Sequence, residues 1–222
     1  MRPKILAMLV TAAATLPQLQ QMTARFAPAL LQVDTSKLSP GDRAALIKLV
    51  DAGRVVNHIF LQQIWSGNLA LQDKLRHDTS ALGKARLEYF RLNKGPWSDL
   101  DAHKAFLASV PERKPLGANF YPENMTREQF ESWAKTLSLE ARAQAEGFFT
   151  VIRPGSNGQL RAVPYSEEYK ADLAACAQDL RDAAKATDNA TLKHFLETRA
   201  AAFLSNDYYA SDVAWMELDA PL

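Results

Sequence analysis

Apolar residues recur at three- and four-residue steps along much of this chain, the period of helices with one buried face. Leu46, Leu49, Val50, Val56, Ile59, Phe60 and Ile64 follow that step and predict a helix from Pro40 to Ile64. Ser39 is placed to cap it and Pro40 suits its first turn, where no amide donor is needed. Gly53 is tolerated inside it at a cost of up to ~1 kcal/mol. The stretch Trp65-Ser66-Gly67-Asn68 ends it. A second helical stretch covers 69–93, with a break near Thr79-Ser80, and Lys94-Gly95-Pro96 stops it.

Residues 94–124 are the least regular and hold four prolines, Pro96, Pro111, Pro115 and Pro122. A short helix over 101–109 is expected inside this stretch. Thr126 with Gln129 three residues later is a helix start, and Ser138 with Glu140 is another, so two short helices cover about 127–146. The period then changes. Phe148-Phe149-Thr150-Val151-Ile152-Arg153 and Leu160-Arg161-Ala162-Val163 flank the turn formers Pro154-Gly155-Ser156-Asn157-Gly158, which predicts a β-hairpin around 148–163. Helices follow from Ser166 to about Lys185 and from Ala190 to Leu204, with a less regular segment from Asn206 to Met216. The fold class is mainly α: a multi-helical lobe with one small hairpin. No linker-like composition separates further domains over 17–222.

Composition narrows the function classes. The chain has 222 residues, 47% of them hydrophobic, which is enough for a sizeable core, and a formal net charge of +1 from 26 basic and 25 acidic side chains. A nucleic-acid partner would want clustered positive charge. Arg113-Lys114 and Arg76-His77 are small clusters with acids nearby and read as solvated faces. The single cysteine, Cys176, excludes an internal disulfide and reads as a small buried hydrophobe. At the start, Arg2 and Lys4 precede the apolar run Ile5–Val10 and the small residues Ala12–Ala14. Residues 1–16 therefore read as a secretory signal peptide, against an ordinary apolar first helix. The first reading places the protein in a periplasm and the second in the cytoplasm. The run is shorter than the ~20 residues a membrane span needs, so no membrane partner is expected.

Sequence-local catalytic motifs are absent. None of His58, His77, His103 and His194 is followed by Glu, and no two lie within five residues, so no zinc site of the paired-histidine helical kind is present. There is no G-x-S-x-G and no phosphate loop. Glu167-Glu168 suits a helix start, through the helix dipole, better than acid–base work. Two segments mix aromatics with turn formers or short polar residues, as binding loops often do. They are Gly117–Thr126, which holds Asn119, Phe120 and Tyr121, and Phe203–Met216.

Five stretches in order carry a family resemblance: Leu38-Ser39-Pro40-Gly41-Asp42-Arg43, Asn93-Lys94-Gly95-Pro96-Trp97, Asn119-Phe120-Tyr121-Pro122, Ala162-Val163-Pro164-Tyr165-Ser166, and Phe203–Met216. Together they resemble the N-terminal part of bacterial members of the dipeptidyl peptidase III family of zinc metallopeptidases. The resemblance implies two lobes around a cleft, with zinc and an activating glutamate on an H-E-x-x-G-H helix that this sequence does not contain. It implies that this lobe contacts the peptide backbone, with Tyr121 as the tyrosine that does so and Asn119 as a neighbouring contact. The expected function is therefore that of a substrate-binding lobe, not catalytic alone, with zinc carried elsewhere in the full-length enzyme and no cofactor in this chain. The competing expectation is a free-standing, non-catalytic helical module that binds peptides or proteins. Apolar surface exposed on such a lobe would favour a homodimer.

Overall fold

A computed structural model describes residues 13–156 and 158–220. Residues 1–12, most of the stretch expected to be a signal peptide, the hairpin residue Asn157 and the last two residues lie outside the described residues. Among those described the fold is mainly α: α1 (Leu16–Thr23), α2 (Pro40–Ile64), α3 (Asn68–His77), α4 (Ala81–Asn93), α5 (Arg127–Ala134), α6 (Leu139–Ala145), α7 (Tyr165–Glu168), α8 (Lys170–Ala186), α9 (Ala190–Ser205) and α10 (Tyr209–Met216). Two antiparallel ladders complete it, β1 (Trp97–Ser98) with β2 (Lys104–Ala105), and β3 (Thr150–Pro154) with β4 (Leu160–Pro164). Among the described residues no helix is long and apolar enough to cross a membrane.

The chain folds as two compact units. One takes the residues up to Ala29 together with Leu61–Asn119, and the other takes Leu30–Phe60 together with the residues from Phe120 onward. The predicted hairpin lies inside the second unit.

In the first unit, Leu19, Leu61, Leu75, Tyr89, Phe90, Phe106 and Leu107 form one core. A smaller one joins Ile64, Trp97 and Ala105, with Trp65 set edge-on to Trp97 at 5.4 Å. The break expected near Thr79-Ser80 is real, and Ser80 caps α4 by accepting from the Gly83 amide at 3.0 Å. The short helix expected over 101–109 does not form. A single 3-10 turn, Asp99–Asp101, is ended by Ala102 and His103, both left-handed at φ 51° and 58°. The chain doubles back there, so Trp97 pairs with Ala105 and Ser98 with Lys104. The strand-like course buries both Phe106 and Leu107.

The second unit is built on small side chains. Ala45 and Ala52 of α2 pack with Cys176, Ala177, Ala183 and Ala184 of α8 and with Leu192, Leu196 and Ala200 of α9. Ser39 caps α2 as expected: its hydroxyl accepts from the Asp42 amide at 3.0 Å and donates to the Asp42 carboxylate at 2.9 Å. The other Asp42 oxygen accepts from the buried Thr187 hydroxyl at 2.7 Å. These hydrogen bonds, Thr187 first, hold the Asp42 carboxyl below its ordinary value. The expected face of α2 is buried in part: Ile59 and Ile64 are buried and Leu46 and Leu49 half-buried. Val50, Val56 and Phe60 are nearly half exposed, while Ala45 and Ala52 are buried. Helices that approach on alanine bury the small residues and leave the larger ones outside. The helix expected from Ser166 is divided as well, into α7 and α8, at Tyr169, whose ring is buried and whose backbone leaves the helical region at φ −110°, ψ 29°. α10 exposes Tyr209, Trp215 and Met216 while burying Ser211 and Ala214.

Two glycines of α2 test this packing in opposite directions. A Cβ on Gly41 would stand 2.3 Å from the Ala186 carbonyl oxygen, whereas one on Gly53 meets nothing within 4 Å. Thermal unfolding should show Gly53→Ala gaining about 0.5–1 kcal/mol from helix propensity and Gly41→Ala losing about 1–3 kcal/mol to overpacking. Equal effects of the two would contradict the close approach.

Candidate functional site

Asn119 closes the first unit. Its backbone amide donates to the Gln63 carbonyl and its side-chain amide to the Gln62 carbonyl, both at 2.8 Å. The side-chain nitrogen is therefore committed to the end of α2. Tyr121 belongs to the second unit and is half-buried. Its ring stands edge-on to Phe130 at 5.3 Å, and Phe130 in turn lies 5.9 Å from Trp133 on α5. Capping fixes α5 at this place. Thr126 accepts from the Gln129 amide, and the Gln129 side chain accepts from the Thr126 amide at 2.8 Å.

Beyond Tyr121 the second unit carries a wall of rings drawn from segments far apart in sequence. Phe120 stacks with Tyr165 at 6.5 Å, Tyr165 meets Phe149 and Tyr169 edge-on, Phe149 stacks on Tyr208 at 4.2 Å, and Phe203 closes on Tyr208 at 6.1 Å. The 120–121 loop and the Phe203–Met216 segment thus meet through Tyr165 and Phe149. Burial pushes the Tyr165 and Tyr208 phenols above their ordinary value, so both remain neutral hydrogen-bonding groups. Arg199 lies 5.5 Å over the ring centres of both Phe195 and Tyr208 and is paired with Asp212 at 2.6 Å. A cation over an aromatic face is worth ~0.5–1 kcal/mol at exposed sites. Deeper in the wall, Arg153 is tied to Glu168 at 2.6 Å.

Asn206 locks the wall. It ends α9 in the left-handed region at φ 65°. Its side chain donates to the Phe149 carbonyl at 3.1 Å and accepts from the Ser166 amide at 3.3 Å. One residue therefore joins the end of α9 to both ends of the hairpin region. Position in the sequence did not reveal this. The usable signal was an asparagine just past a predicted helix end, a frequent left-handed cap.

Among the described residues no three His, Cys, Asp or Glu side chains gather as a metal site requires. His77 and His103 face acids of their own segments, Asp73 at 3.7 Å and Asp99 at 2.9 Å, and His58 lies 3.8 Å from Asp172. Such a scattered donor set does not fit a zinc ion. Cys176 is buried, and burial pushes its thiol up to about 11. Below pH 9 it is a neutral packing group.

Two outcomes follow from this geometry. Asn206→Gly keeps the left-handed cap but loses two hydrogen bonds, a loss of about 1–2 kcal/mol. Asn206→Ala adds the left-handed penalty of ~1 kcal/mol, so melting should rank wild type above Gly above Ala. In the folded protein at pH 8, Cys176 should react with a thiol reagent far more slowly than in denaturant. Equal rates would contradict its burial.

No family model matches the chain. It is similar to two solved structures over nearly its full length. Against the dipeptidyl-peptidase III of Corallococcus sp. strain EGB the identity is 51% and the TM-score 0.90, covering 94% of this chain and 39% of that one. Against the DPP III of Caldithrix abyssi the values are 44% and 0.84, covering 90% and 37%. A protein of Arabidopsis thaliana called Nudix hydrolase 3 is 35% identical over 92% of this chain and 33% of its own length. The chain spans well under half the length of each relative, and their names state two different hydrolase chemistries. In fold and in sequence alike, this chain matches a portion of both of these longer dipeptidyl-peptidase III chains.

Proposed function

We propose that this chain acts as a peptide-binding lobe of a zinc-dependent dipeptide-releasing peptidase and performs no hydrolysis alone. The observation that carries this reading is the 51% identity with a dipeptidyl-peptidase III, spread over 94% of the chain. It is supported by the scattered histidines, since hydrolysis of this kind needs a metal to activate water. Zinc would be held by other residues of the longer protein. Tyr121 is the residue we assign to the peptide backbone. Its ring is fixed by Phe130, so little rotamer freedom is lost when its hydroxyl takes a partner. Asn119, with its side-chain amide bound to the Gln62 carbonyl, positions the stretch that leads to Tyr121.

Calorimetric titration of the full chain with a tetrapeptide tests this. Saturable binding is expected, weakened about threefold to tenfold by Tyr121→Phe, the worth of one net hydrogen bond, with no change in melting temperature. Adding zinc should release no dipeptide. Zinc-dependent cleavage by this chain alone would contradict the proposal, and so would unchanged affinity in Tyr121→Phe. If binding survives and the longer gene encodes no metal site, the free-standing binding module becomes the better reading.

A further inference from the structure

The first unit contains a cavity of about 460 Å³ between α1 and the β1–β2 ladder. It uses neither Tyr121 nor Asn119. One wall is polar and built on a closed ring of hydrogen bonds. Arg25 donates from Nη1 to Asp101 Oδ1 at 2.9 Å and from Nη2 to Asp101 Oδ2 at 2.5 Å. Ser98 Oγ donates to the same Oδ2 at 2.5 Å. Tyr89 lies 2.7 Å from Ser98 Oγ, and Arg25 Nη2 lies 3.3 Å from the Tyr89 oxygen. The serine has one proton, and Asp101 takes it, so Tyr89 must donate to Ser98 and accept from Arg25. Ser98 and Tyr89 are buried, at 1% and 0% exposure.

This ring decides the sign of charge that the cavity accepts. Asp101 already receives three donated hydrogens, so its carboxylate has little left to offer a cation. Arg25 keeps one Nη1 proton outside the ring. Lys104, exposed on β2, also lines the cavity. Two positive groups against one carboxylate leave a net positive charge. The remaining lining sets the apolar Ala14, Met22, Ala105 and Phe106 beside the neutral amides Gln18 and Gln21. A pocket of this size, apolar with a few convergent polar groups, suits a small ligand.

We propose that this cavity binds a small organic monocarboxylate. The short apolar body lies against Met22 and Phe106, and the carboxylate meets Lys104 and the outer Nη1 proton of Arg25. Titrating the full chain with hexanoate, followed by calorimetry and by the amide resonances of Lys104, Ala105 and Phe106, tests it. Saturable binding is expected that shifts those resonances, with hexanol and hexylamine at least about tenfold weaker, the worth of one charge-assisted hydrogen bond. Replacing Arg25 would break the ring and risks unfolding. Lys104→Gln is the safer variant, expected to weaken hexanoate about tenfold while the melting temperature stays unchanged. Three results would overturn the proposal: no saturable binding, equal binding of hexanol and hexanoate, or undiminished hexanoate binding by Lys104→Gln.

Discussion

Alanine and glycine, rather than leucine, set how closely α2, α8 and α9 approach in the second unit. Ala45 and Ala52 meet the alanine faces of α8 and α9, and at Gly41 the approach is so tight that a single methyl group would collide with a backbone carbonyl. The Thr187–Asp42 hydrogen bond, which joins the start of α2 to the turn between α8 and α9, sits at the same corner. Leu180, Leu192 and Leu196 fill the space between the alanines, and the aromatic residues lie at the margin of the cluster. There Phe203, Tyr169 and Leu173 receive the hairpin and the loop at Phe120. Phe203 packs against both clusters and so joins the small-residue core to the aromatic wall.

Local chemistry made much of this legible in advance. Ser39, Thr126, Ser138 and Asn189 each begin a helix, because a short polar side chain can take an orphan amide within three residues. The hairpin was readable from β-branched residues around turn formers. The face of α2 was readable only in part, at Ile59 and Ile64. Periodicity counts apolar residues by size, and here burial favours the small ones. The stretch after Trp97 was misread because Ala102 and His103 adopt a left-handed conformation that neither residue type advertises. The reversed stretch is held by the ties of Asp101 to Arg25 and Ser98 and by the Asp99 amide, which donates to the Asn93 side chain.

The candidate site was partly legible. Tyr121 and the Phe203–Met216 segment stood out as aromatic and polar mixtures, but their meeting through Tyr165 and Phe149 required the fold. Asn119 looked like a contact residue and is found holding backbone carbonyls. The Arg25–Asp101 pair, 76 positions apart, left no local trace in the sequence. Kinship, by contrast, is spread along the chain: over 94% of it the sequence agrees at 51% identity with a dipeptidyl-peptidase III chain far longer than this one.

On the proposed reading the lobe contributes binding, and the metal chemistry would belong to other residues of a longer protein. Reading the source DNA onward from the codon for Leu222 tests it most directly. The account predicts an open frame that reaches an H-E-x-x-G-H motif within a few hundred codons. A stop codon directly after Leu222, with no such motif in the following sequence, would contradict it.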